Sequence, residues 1–177
     1  ESRLRVGATW RWDGALMFFL GLAPLIFCGA ALPQGIVRDG STATQVSPNG
    51  AVTDVRTTTV RNANAFNSFL TFNVAQGNTT NLHLPDGTSN LVNIVRDQRT
   101  DIHGVLNAIK QGAIGGNVWF VNPHGLLVGP TGVVNVGSLS VRTPTQTFVE
   151  GFFLGPGNPD DTALAQLFAG TAPRSGA

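Results

Sequence analysis

The sequence predicts an all-β chain wound as a right-handed parallel β-helix, with short elements outside the coils. Three observations carry this. Apolar residues alternate in runs that seldom exceed about six residues, the period-two mark of strands. Turn residues interrupt the chain about every ten positions. Asn and Gly recur at those breaks while charge is sparse: 12% charged residues, and 22 glycines among 177 residues. A sandwich or barrel also has short strands and regular turns. Its hairpin strands are usually longer, so a solenoid with tight corners fits better. At about 20 residues per coil, the chain past its leader makes roughly seven coils, each rising ~4.8 Å.

Residues 1–31 read as a bacterial secretory signal. Arg3, Arg5 and Arg11 form a basic flank, an apolar run follows from Ala15 to Cys28, and Gly29, Ala30 and Ala31 supply the cleavage region. Cys28 is the single cysteine. Bulky Phe27 before it excludes lipid attachment, so the mature part has no thiol. That suits a chain which must stay unfolded until it has crossed a second membrane.

The strands then follow in order. Asn49-Gly50 makes a turn before a Val- and Thr-rich strand over 52–60. Residues 66–74 form the next, with Leu70, Phe72 and Val74 on one face, closed by Gln76-Gly77-Asn78. Leu82 and Leu84 alternate up to the turn Pro85-Asp86-Gly87. Residues 91–95 are a short buried run, and 102–106 another, interrupted by Gly104. Near the end Val134 and Val136 share a face, while Leu139 and Val141 fall on the other parity. A bulge or corner at Gly137-Ser138 reconciles them. Asn158-Pro159-Asp160-Asp161 predicts a helix over 160–169, with Asn158 as cap, Pro159 at the first position, Leu164, Leu167 and Phe168 on one face, and Gly170 as stop. Phe152-Phe153-Leu154 docks it. The expected organisation is a signal peptide at 1–31, a β-helical domain at 32–150, and an extra-helical segment at 151–177. More coils are expected to follow, since an open final coil would leave a sheet edge unpaired.

Several chemistries are excluded. From residue 32 on, acidic and basic residues balance and lie scattered, so no basic patch suits nucleic acid. His83, His103 and His124 show no metal-ligand spacing with one another or with cysteine. Asp97 and Asp101 flank Arg96 and Arg99, which reads as a self-compensating corner. The clustered acids that a β-helical polysaccharide lyase or hydrolase needs are missing, as are nucleophile elbows and phosphate loops. No enzyme and no cofactor is expected.

The densest stretch is Asn117-Val118-Trp119-Phe120-Val121-Asn122-Pro123-His124-Gly125-Leu126-Leu127-Val128-Gly129-Pro130. Two apolar strands flank a tight turn in which Pro123 presets the bend, Asn122 can bond its own backbone, and Gly125 takes dihedrals closed to other residues. His124, third in the turn, reads as an exposed turn residue. With Asn67-Ser68-Phe69-Leu70-Thr71-Phe72-Asn73-Val74, Val92-Asn93-Ile94-Val95-Arg96, Asp101-Ile102-His103-Gly104-Val105-Leu106 and Val134-Asn135-Val136-Gly137-Ser138-Leu139, it resembles the N-terminal domain of two-partner secretion exoproteins. This is the filamentous haemagglutinin-type, or haemagglutination activity, domain of large bacterial adhesins. The family's usual turn is Asn-Pro-Asn-Gly; His124 departs from it.

The resemblance implies a right-handed parallel β-helix that begins the export of a long exoprotein from a Gram-negative bacterium. Its partner is an outer-membrane transporter barrel with periplasmic recognition domains. The chain passes through the periplasm, folds outside and is secreted or held at the cell surface, where the full-length protein meets a host surface or glycans. Asn122, Pro123, His124 and Gly125 are the candidate site, as a recognised turn or as a purely structural corner. Two other readings stand beside this one. A self-sufficient adhesin or carbohydrate-binding β-solenoid is poorly served by a single mature tryptophan, Trp119, and no tyrosine. A degenerate polysaccharidase lacks its acids.

Overall fold

The computed structural model describes residues 35–174. The signal peptide expected at 1–31, with its cleavage region at Ala30 and Ala31, lies outside the described residues. The described residues open with two strands that do not belong to a coil, β1 (Val37–Arg38) and β2 (Thr44–Asn49). The first coil holds β3 (Val52–Thr57), β4 (Val60–Arg61) and β5 (Asn64–Thr71). The second holds β6 (Thr79–His83), β7 (Asn90–Val95) and β8 (Thr100–Ile102). The third holds β9 (Val105–Lys110), β10 (Ala113–Ile114), β11 (Asn117–Val121) and β12 (Leu126–Val128). A partial coil ends with β13 (Val133–Asn135) and β14 (Ser138–Arg142). Outside the coils come α1 (Gln146–Glu150), β15 (Phe153–Gly155), β16 (Asn158–Pro159) and α2 (Asp161–Ala169).

Strands of successive coils stack in parallel and form three faces. The first face is β5-β7-β11-β14, with β1 antiparallel on its outer side. The second is β3-β6-β9-β13, with β2 antiparallel on β3 and the short β10 antiparallel on β9. The third is β8-β12, extended by a bridge between Val74 and Ile102. The fold is therefore the expected β-solenoid, with only two short helices among the described residues.

The number of coils differs from expectation. The solenoid makes about three turns, not seven. Stacked asparagines show why: partners on neighbouring coils lie 26 to 28 residues apart. Each turn carries three faces and three corners, which lengthens it. The chain also leaves the solenoid after Arg142 instead of winding on to its end.

The interior is apolar. Val55, Ala65, Phe69, Phe72, Val74, Leu82, Leu91, Val95, Ile102, Leu106, Val118 and Phe120 form one buried cluster. Phe72 lies 5.1 Å from Phe69 and 5.2 Å from Phe120 between ring centroids, both edge-on. Phe69, not Leu70, shares this core with Phe72 and Val74, and Leu70 is only half-buried. The chain turns a corner as β5 ends, which shifts the side-chain parity there. The parity change at Gly137-Ser138 is likewise a corner, between β13 and β14. Gly104 stands at another, where a Cβ would lie 2.3 Å from the Asn78 carbonyl oxygen and 2.4 Å from that of Ala75.

Three polar ladders run along the stack. At one corner Asn90 donates to Asn64 (2.8 Å), Asn117 to Asn90 (3.1 Å) and Ser138 to Asn117 (2.9 Å). On the second face Asn81 donates to Asp54 (3.2 Å), Asn107 to Asn81 (2.9 Å) and Asn135 to Asn107 (2.9 Å). The third is inside the solenoid. Asn67 and Asn93 are fully buried, on the inward parity of Ala65 and Phe69. Thr44 donates to Asn67 (2.9 Å), Asn67 to Asn93 (3.0 Å), and Asn93 to the Trp119 carbonyl (3.2 Å). Buried amides are tolerated because each finds a partner.

The helix near the end starts later than the sequence pattern suggests. Asp160, not Asn158, is its N-cap and accepts from the Thr162 N–H at 2.8 Å. Asn158 and Pro159 instead pair with β15 in a hairpin, and the Asp160 N–H donates to the Phe152 carbonyl. Gly170 ends the helix in the left-handed region, as expected.

Asn93→Ala should strand the buried Asn67 amide and remove the side-chain bond to the Trp119 carbonyl. The expected loss is about 1–3 kcal/mol per orphaned group, read as a lower midpoint in urea unfolding. An unchanged midpoint would remove the inner ladder from the list of stabilising features.

Candidate functional site

The turn between β11 and β12 is built from inside the solenoid outward. Asn122 is fully buried. Its backbone N–H donates to the Arg142 carbonyl at 3.0 Å, which ties the turn to the coil above. Its Nδ2 donates to the Gln98 carbonyl at 2.9 Å and to Thr100 Oγ1 at 3.1 Å, which tie it to the coil below. Oδ1 accepts from the His124 N–H at 2.8 Å, and the Gly125 N–H donates to the Asn122 carbonyl at 3.0 Å. The Asn122 carboxamide is thus fully engaged inside the protein. Gly125 has φ +85°, and open space surrounds an added Cβ, so backbone conformation alone requires glycine here. Pro123 is half-buried and His124 is exposed.

A surface hollow of about 400 Å³ lies beside the turn, lined by Arg96, Asp97, Pro123, His124 and Gln146. Gln146 Nε2 donates to Glu150 at 3.1 Å, while its Oε1 is buried without a partner. Asp97 is exposed, and Arg96 turns away from it. Arg96 Nε donates to Asp39 Oδ2 at 2.5 Å and Nη1 to the Val149 carbonyl at 2.9 Å. This ion pair is well shielded, with the two side chains 13% and 5% exposed. It joins the N-terminal strands, the second coil and α1. Burial by itself raises the Asp39 pKa. Hydrogen bonds from Ser68, the Ser41 N–H and Arg96 outweigh it and hold the carboxyl below its ordinary value.

The other candidates stay apart. His83 Nε2 lies 2.7 Å from Asp54 Oδ1, and a hydrogen bond from His83 lowers the Asp54 pKa against a small opposing burial effect. His103 packs against the backbone of Gly129. Arg99 grips Asp101 with two bonds, at 2.6 and 3.2 Å, and so compensates it as expected. Arg96, by contrast, pairs with Asp39 rather than with a neighbouring aspartate. Among the described residues no three His, Cys, Asp or Glu side chains are placed to hold a metal ion.

Sequence reasoning did not find the Arg96–Asp39 pair or α1. The pair joins residues 57 positions apart. The helix has five residues, too few for a periodic pattern, and its one local sign is Thr145, whose Oγ1 caps Phe148 N–H at 3.2 Å.

A stacked solenoid with asparagine ladders and a buried Asn-Pro-x-Gly corner narrows the comparison with known proteins. The family model described as the TPS secretion domain matches residues 34–153. The chain belongs to the TPS secretion-domain family. As a TPS domain it is the N-terminal domain of a two-partner secretion exoprotein. Membership implies an outer-membrane transporter as partner and a secreted or cell-surface destination. No curated protein and no solved structure matches the chain. The TPS match takes in every strand of the solenoid and stops inside the hairpin, at the first residue of β15.

Two predictions follow from this geometry. Asn122→Ala removes three hydrogen bonds at a buried position and should cost about 1–3 kcal/mol. Gly125→Ala forces a side chain into the left-handed region at about 1–2 kcal/mol, whereas His124→Ala should stay within about 0.5 kcal/mol of the parent. Urea midpoints of the three variants test the ranking.

The second concerns acid. Asp39, Asp54 and Asp101 all have folded pKa values below their ordinary ones. Their contribution is therefore complete above the unfolded carboxylate value and is lost as pH falls below about 4 through the folded values. Denaturation midpoints across an acid series should decline in that window. Ser68→Ala, which removes one bond to Asp39, should flatten the decline.

Proposed function

We propose that this domain carries the export signal of a large adhesin-type exoprotein and starts its folding outside the cell. The family and the solenoid fold point to a non-catalytic secretion role. In this reading the segment at 1–31 sends the chain to the periplasm. The domain from residue 32 to about 150 is then bound by periplasmic domains of the transporter barrel, and 151–177 begins the continuing exoprotein. Contact with a host surface or its glycans falls to the rest of the exoprotein.

One observation carries the folding part: the two ends of the solenoid are unlike. At the N-terminal end β1 and β2 lie antiparallel on β5 and β3 and close the edges of the first coil. At the other end β12, β13 and β14 have no strand beyond them among the described residues. A start capped on two of its three faces and an end with open strand edges make the stack a one-way template, because an open edge accepts a further strand. Coils formed outside cannot slide back through a pore, so folding supplies direction without a nucleotide.

Within this reading the Asn122–Gly125 turn works in two parts. Asn122 and Gly125 shape the corner, and in the folded domain Pro123 and His124 are the parts presented to a partner. The free-standing sugar-binding alternative loses its main asset, since Trp119 is covered by Phe168, with ring centroids 4.8 Å apart, and by Arg142.

The test expresses residues 1–177 behind a start methionine, with and without the matching barrel, and measures the fraction released into the medium. Release that depends on the barrel is expected. Equal release without it would overturn the reading.

A further inference from the structure

The outward side of the first face is as buried as its inward side. Phe66, Val92, Ile94 and Val121 point away from the solenoid core, yet each is fully buried. Their cover comes from one stretch of chain after the last coil: Val149 of α1, Phe152 before the hairpin, and Ala163, Leu164 and Leu167 of α2. Phe148, Phe153 and Phe168 pack around them. Phe66 meets Phe152 at 6.2 Å and Phe153 at 6.3 Å between ring centroids.

The same stretch starts at the far end of the solenoid, directly after β14, and returns to its near end. Its own two ends are tied together, since Pro144 pairs with Arg174 and the Thr145 N–H donates to the Pro173 carbonyl at 2.8 Å. At the near end the Gly157 N–H donates to the Ser41 carbonyl at 2.7 Å, and the Val149 carbonyl accepts from Arg96, which holds Asp39. Along the side Arg61 reaches Asn158 at 3.3 Å and pairs with Asp161.

From these contacts we infer that residues 144–174 are a strap that closes over the stacked coils and locks them, and that the folding unit runs past residue 153, where the family match ends. A five-residue and a nine-residue helix are too short to persist alone in water. The strap therefore forms on a finished first face and not before it. Closure is a late step that joins the capped start to the last coil. In export, which rests on the reading above, closure makes withdrawal of the emerged coils slow.

Unfolding and refolding rates in urea test this on the purified chain. Phe152→Ala should unfold about tenfold faster or more while its refolding rate changes less than about twofold, the pattern of a contact made after the transition state. Asp160→Ala, which only removes the α2 cap, should unfold a few-fold faster and decides the matter if Phe152→Ala does not fold. Unchanged unfolding rates, or a loss confined to refolding, would overturn the strap. In cells with the barrel, Asp160→Ala should lower the fraction released at equal expression. If the parent chain is released without the barrel, the export reading fails while the rates still judge the strap. If Asp160→Ala unfolds faster yet is released like the parent, the locking role in export is overturned and the export reading stands.

Discussion

The register between coils is the constraint on which everything else depends. A parallel stack closes only if the same positions recur at nearly the same spacing, and the backbone ladder alone is indifferent to a slip of one residue. The inner asparagines are not indifferent. Asn67 and Asn93 are fully buried, and their bonds run from Thr44 to the Trp119 carbonyl. A one-residue slip of β7 would turn Asn93 outward and set Val92 or Ile94 against Asn67, whose buried carboxamide would lose its partner at a penalty far above that of a lost surface bond. The corner and outer ladders repeat the instruction where water can compensate. Together they set the corners above one another, and so place Asn122 over Gln98 and Thr100.

That placement accounts for a site half legible in the sequence. The turn itself was readable, because Pro123 and Gly125 have local meanings. The burial of Asn122 was not, since its partners belong to a coil 22 and 24 residues away. Coil length was present in the sequence in another form. Asn64, Asn90 and Asn117 recur at the coil period, as do Asn81, Asn107 and Asn135. Counting turn residues sees only corners, of which each coil has three, and so it overcounts coils. The run at 91–95 was correctly read as buried. Its reason, cover on both faces, needed the strap.

The α2 helix stands where the sequence pattern puts it, but its cap is decided at the same boundary between local and distant causes. Asn158-Pro159 is a sound start by local rules. Its neighbours in space prevail: Pro159 pairs with Phe153, and Arg61 holds the Asn158 side chain. The cap shifts to Asp160, and α2 is turned so that Leu164 and Leu167 meet the first face.

Arg96 shows how a chain with few charges uses one. A shielded ion pair is a weak source of net stability, because desolvation offsets most of the attraction. Its effect here is positional. The Arg96 guanidinium holds Asp39 on one side and the Val149 carbonyl on the other, so neither the N-terminal strands nor α1 reaches its final place without the second coil. The N-terminal strands can settle once the second coil exists. The Val149 carbonyl arrives only after three turns have stacked. Until then part of the Arg96 hydrogen-bonding capacity faces water, and the outward aromatic surface is uncovered. The strap removes both defects at once, which makes the last segment to arrive the one that completes the first.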